Sequence, residues 1–132
     1  MDFLEALTRL HVNRSGGRFS PHKPVMMLAV LDLALAGRLP DNRIELGPPL
    51  LERYRGYWDV VAKEGDQLNP FLPFFHLRSE PFWQLHAFPG KQATLDALTT
   101  VSGMAQARDL IDFASLDESV WQALQDVEHI EE

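Results

Sequence analysis

Pro24-Val25-Met26-Met27-Leu28-Ala29-Val30-Leu31-Asp32-Leu33-Ala34-Leu35 decides the fold, because apolar residues cover every face of the helix it would form and only Asp32 interrupts them. A helix that is apolar all round has no side to offer to water, so it belongs at the centre of a core. The longest unbroken apolar run, Val25 to Leu31, is far too short to span a bilayer. Gly37 and Pro40 stop the helix near Arg38. At its head stands Pro21-His22-Lys23-Pro24. Proline suits the first helical position and disfavours helical geometry in the residue before it, which places the start at Pro24 and Lys23 outside. A start at Pro21 capped by Ser20 is the alternative.

Working outward, Asp2 to Val12 repeats Phe3, Leu4, Leu7 and Leu10 at helical spacing. Asn13 to Ser20 is polar and carries a glycine pair, the composition of a loop. Pro48 to Lys63 reads as a helix with Leu50, Leu51, Tyr54, Trp58 and Val61 on one side, and Glu64 to Pro73 as a loop. Phe74-Phe75-His76-Leu77 and Phe82-Trp83-Gln84-Leu85 are aromatic, β-favouring runs flanking Arg78-Ser79-Glu80-Pro81, a pattern that predicts a β-hairpin with a four-residue turn. Short helices are expected over Thr94–Val101 and Met104–Phe113. Ser115-Leu116-Asp117-Glu118 has the spacing of a capping box and should launch a last helix through Val120, Trp121 and Leu124. The expectation is a single mainly α domain over residues 1–132, with a central buried helix and a small antiparallel β-hairpin.

At 132 residues, with 45% hydrophobic and 23% charged side chains, the chain suits one soluble globular domain. There is no cysteine, which removes disulfides, thiolate metal sites and thiol nucleophiles. The N-terminus lacks the basic leader and apolar stretch of a secretory signal, so a cytoplasmic protein with no membrane partner is expected. The net charge of −7 is unevenly spread. Residues 1–63 carry nine Lys/Arg against seven Asp/Glu, and residues 64–132 carry three against twelve. A duplex could therefore dock on the first half and the central loops, with the acidity turned away.

The motifs of common enzymes are missing. No two of His11, His22, His76, His86 and His129 are spaced i,i+4, and neither HExxH nor an EF-hand loop occurs. Gly16-Gly17 is followed by no GK[ST], and there is no nucleophile elbow. No metal or small-molecule cofactor is expected. Residues 13–23 are more informative, since they gather Arg14, Arg18, His22 and Lys23 just before a helix N-terminus. The first N–H groups of a helix lack internal partners and the dipole there is positive, so with cations beside them they form a place for a phosphate. A solvated surface loop is the plainer alternative. Phe74, Phe75, Phe82 and Trp83 read as core residues before base-stacking platforms, and Pro70, Leu72 and Pro73 as a rigid lead-in packed on the core. Arg78 and Ser79 sit at the expected turn, either as turn residues or as side chains that reach a DNA groove.

Three blocks together resemble one family. Ser20-Pro21-His22-Lys23-Pro24-Val25-Met26-Met27-Leu28 is similar to its Pro-His-(Lys/Arg)-Pro-Leu-Leu-Leu block. Leu72-Pro73-Phe74-Phe75-His76-Leu77, with Phe82-Trp83-Gln84-Leu85 after it, is similar to its Tyr-Pro-Phe-Trp-x-Leu segment, short turn and (Phe/Leu)-Trp-x-Leu strand. Leu116-Asp117 through Leu124-Gln125-Asp126 is similar to its late helix. The family is the sulfur-binding domain of McrA-like, phosphorothioate-dependent restriction endonucleases, usually joined to an HNH nuclease domain. In order and spacing the resemblance runs along nearly the whole chain.

The resemblance implies a mostly helical fold that binds double-stranded DNA in which sulfur replaces one non-bridging phosphate oxygen. The sulfur would sit in a shallow apolar cavity made by the positions of Leu72, Pro73 and His76 together with His22 and Lys23. Leucine stands here for the family's tyrosine, histidine for a small residue and lysine for arginine. Sulfur is larger, softer and less hydrated than oxygen, so an apolar notch accepts it, whereas an oxygen there would lose its hydration without gaining donors. Arg14, Arg18 and Lys23 would neutralise neighbouring phosphates, and Arg78, Ser79 and His76 would touch base edges. This reading requires Pro73 within reach of the DNA and beside His22 and Lys23. It is compatible with an HNH nuclease in the parent polypeptide and with a homodimer. Competing readings are a specificity domain for other modified or ordinary DNA, and a helical protein-interaction domain.

Overall fold

The computed structural model describes residues 14–15, 18–19, 22–61 and 68–131; the expected helix over Asp2–Val12 lies outside them. The elements are β1 (Arg14–Ser15), β2 (Arg18–Phe19), α1 (His22–Leu35), α2 (Pro48–Val61), α3 (Phe71–His76), a 3-10 turn (Leu77–Ser79), β3 (Trp83–Ala87), α4 (Gln92–Ala97), α5 (Met104–Leu110), β4 (Ile111–Leu116) and α6 (Glu118–Glu131). The domain is mainly α with a small antiparallel β component, as expected.

Helix α1 is the axis of the core. Val25, Met26, Met27, Ala29, Val30, Leu33 and Ala34 are all buried, and the helix packs against α2, α3 and α6. It begins at His22, so Lys23 is helical and the expected start at Pro24 is corrected. Pro24 is the third residue of the helix, where its missing N–H lies among donors that have no partner inside the helix anyway. Helix α2 runs Pro48–Val61 and buries Leu50, Tyr54 and Trp58. On its other side Arg53 reaches Asp32 at 3.8 Å and donates to the Pro49 carbonyl at 3.0 Å.

The expected hairpin between Phe74–Leu77 and Phe82–Leu85 does not form. Phe71–His76 is helical, and Phe74 and Phe75 are both fully buried. Two adjacent buried residues suit a helix wedged into a core better than a strand, whose neighbours point to opposite faces. Pro73 is tolerated because, like Pro24, it is a third helical residue. Strand β3 pairs instead with β4, antiparallel, from Trp83↔Leu116 to Ala87↔Ile111 with an irregularity after His86. Ile44 adds one rung on the far side of β4, exchanging two 2.8 Å hydrogen bonds with Ala114. Asn42 closes the end of that edge through both main-chain groups of Leu116.

Strand β4 also corrects the ends of two expected helices. Met104–Leu110 is helical, but Ile111 to Leu116 is extended. The other short helix is Gln92–Ala97. Ser115 is therefore a strand residue and cannot cap α6. Asp117 does so, its carboxylate accepting from the Ser119 N–H at 3.2 Å and the Ser119 hydroxyl at 2.6 Å. These bonds favour the ionised form and hold the Asp117 carboxyl below its usual range. Among the described residues, no helix is long and apolar enough to cross a membrane.

Candidate nucleic-acid interface

The first turn of α1 brings the sequence-predicted residues towards one another. Lys23 Nζ donates to Ser79 Oγ at 3.1 Å, tying two residues 56 positions apart. The same ammonium lies 3.5 Å from Glu80 Oε1, in a pair whose side chains are 15% and 1% exposed. Glu80 is held there from both sides. Its N–H donates to the Leu77 carbonyl at 2.8 Å, and its own carbonyl accepts from Trp83 N–H at 3.3 Å. A carboxylate so fully removed from water has to be paired, and Lys23 is a partner.

His22, the first residue of α1, sets its ring against Trp58 of α2 with centroids 4.7 Å apart. Trp58 in turn stacks on Tyr54 at 5.9 Å. Tyr54 is wholly buried, its hydroxyl has no hydrogen-bond partner among the described residues, and burial pushes its ionisation upward. This column of aromatic rings limits the orientations open to His22.

His76, the last residue of α3, lies edge-on to the Phe75 ring at 5.0 Å. Its Nε2 is 3.0 Å from Thr100 Oγ1. Burial, then the charges of Arg78 and Lys23, hold its pKa below the ordinary histidine value. Lys23, His76, Ser79 and Glu80 thus form one electrostatic neighbourhood, built from α1 and the segment that follows α3.

Other expected members are placed differently. Pro73 is buried within α3, which corrects both its expected place as a reachable wall of the sulfur cavity and its plainer reading as the lead-in to a strand. Leu72 is half-buried and packs on the edge of that core. Arg78 is not a side chain free to enter a groove. Its guanidinium donates to the main-chain oxygens of Leu95 and Leu98 at the end of α4 and lies 4.0 Å over the Phe75 ring. Ser79 is exposed.

Arg14 and Arg18 fall one on each strand of the β1–β2 pair just ahead of α1, with Arg14 opposite Phe19 and Ser15 opposite Arg18. Sequence reading missed Glu80, Trp58 and Thr100 as contributors. Only Glu80 carried a signal, a lone acid beside Ser79 within an apolar, aromatic stretch.

Among the described residues no three His, Asp or Glu side chains gather as a metal site. No curated protein matches the chain. The model of the ScoMcrA-like, DNA sulfur-binding domain family matches residues 1–127. The match takes in the β1–β2 pair, the Lys23–Ser79–Glu80 cluster and most of α6, and the chain therefore belongs to this family of DNA-binding modules.

Proposed function

We propose that this domain binds double-stranded DNA carrying phosphorothioate linkages and serves as the recognition module of a modification-dependent restriction system. Family membership supports the reading. The observation that carries it is the 3.1 Å bond from Lys23 to Ser79, which joins the His22-Lys23 head of α1 to the segment after α3. In place of the Pro73-walled cavity expected from the resemblance, sulfur would rest on Leu72 and the aliphatic stem of Lys23, flanked by His22 and His76, with Pro73 buried in α3 and not touching the DNA. An unmodified oxygen in the same place would give up water without receiving donors. Arg14 and Arg18 would neutralise neighbouring phosphates and set the docking register, and Ser79 would face a groove edge. The domain recognises; an HNH nuclease elsewhere in the parent protein would cut.

Two duplexes identical except for one sulfur test this reading. Titrated with the domain at fixed salt, the sulfur-bearing duplex binds more tightly, and Leu72→Ala narrows the gap. Equal affinity of the unsubstituted domain for both duplexes overturns the reading in favour of a general DNA-binding domain. No salt-dependent binding to either duplex favours a protein-interaction domain.

A further inference from the structure

We infer that Glu80 is a specificity-determining residue of the sulfur site, engaging the Lys23 ammonium so that Lys23 presents the DNA backbone its stem and a cation whose charge is already paired. The inference rests on the function proposed above. A lysine ammonium has three N–H donors and no acceptor. Here one donor is directed at Ser79 Oγ, 3.1 Å away, while the Glu80 carboxylate stands 3.5 Å from the same nitrogen. Released from both, Lys23 would make a short charge-assisted bond to a phosphate oxygen. Oxygen is the harder atom and the better acceptor, so such a bond would reward the unmodified backbone more than the sulfur-bearing one. Engaging the ammonium with Ser79 and Glu80 lowers that reward.

The geometry suits this role. The Glu80 side chain is almost wholly dry, so its charge is little screened by water. Its main chain is fixed on one side by Leu77 and on the other by Trp83, which leaves the carboxylate little freedom to swing away from Lys23. Ser79 is exposed and can be altered without opening the core.

The test measures affinity for sulfur-bearing and ordinary duplexes over a range of salt, with thermal melting of each variant as a check on folding. Glu80→Gln keeps the size and removes the charge. It should raise affinity for the ordinary duplex about tenfold, the worth of one charge-assisted contact, and steepen the salt dependence by about one counterion. The sulfur preference should shrink accordingly. Ser79→Ala should act in the same direction but more weakly, and it carries the test if Glu80→Gln does not fold. Adding Lys23→Met to Glu80→Gln should restore the preference, since the stem returns without its charge. A sulfur preference left unchanged by both Glu80→Gln and Ser79→Ala overturns the inference and leaves the proposed function standing. Absence of any preference in the unsubstituted domain overturns the proposed function itself.

Discussion

The indole Nε1 of Trp83 donates to the main-chain oxygen of Phe74 at 2.9 Å, and the two rings meet edge to face at 5.4 Å. This contact fastens β3 to α3 and fixes the direction in which the chain leaves the 3-10 turn bearing Ser79 and Glu80.

Trp83→Phe keeps most of the packing but strands the Phe74 carbonyl in a buried place. Unfolding in urea should register a loss of about 1–3 kcal/mol. Because the contact orients the turn, sulfur preference should fall along with stability. A variant as stable as the original would show that the carbonyl finds another donor.

The same contact explains how the sequence misled about pairing. Phe74 and Trp83 are indeed neighbours, and aromatic runs either side of a short turn suggested two strands. What decides the matter is non-local. β3 finds its partner in Ile111–Leu116, some 30 residues further on, and the Phe74 segment is left to bury both Phe74 and Phe75, which a helix does. Ser115 shows the same limit: its spacing to Glu118 fits a cap, yet pairing with Gln84 takes it into the sheet. Helix α1 was legible because its composition alone forbids any exposed face. At the site, His22, Lys23, His76 and Ser79 could be picked out as candidates from motif order, whereas the Lys23–Glu80 pair spans 57 positions and leaves no periodic trace.

Arg78 should prove a structural clamp. Its guanidinium ties the 3-10 turn to the end of α4 through the Leu95 and Leu98 carbonyls and covers the Phe75 ring. Arg78→Ala should cost about 1–3 kcal/mol in unfolding free energy through those bonds. Arg78→Lys should recover little, because a single ammonium cannot reproduce the planar fork. Where the alanine variant remains folded, its salt dependence of DNA binding should be unchanged. A shallower salt slope would instead place Arg78 on the phosphate backbone.

Arg14 and Arg18 are expected to behave in the opposite way. They lie on the β1–β2 pair, and if they serve the DNA backbone as proposed, replacing either with alanine should leave thermal stability nearly unchanged. Each should weaken binding to sulfur-bearing and ordinary duplexes by the same factor and lower the salt slope by about one. An effect confined to the sulfur-bearing duplex would move that arginine into the sulfur cavity.

His76 gives the free domain a pH dependence whose sign is determined. Burial, Arg78 and Lys23 hold its pKa below the ordinary 6.5, so the folded domain takes up a proton less readily than the unfolded chain. Stability is then full above the ordinary value and is lost as pH falls from there through the lowered pKa, the window in which the unfolded chain binds more protons. Melting temperatures between about pH 7.5 and about pH 5 should decline on the acid side, and His76→Gln should decline less while retaining a partner for Thr100. Parallel curves for the original domain and His76→Gln would show that another group governs the acid side.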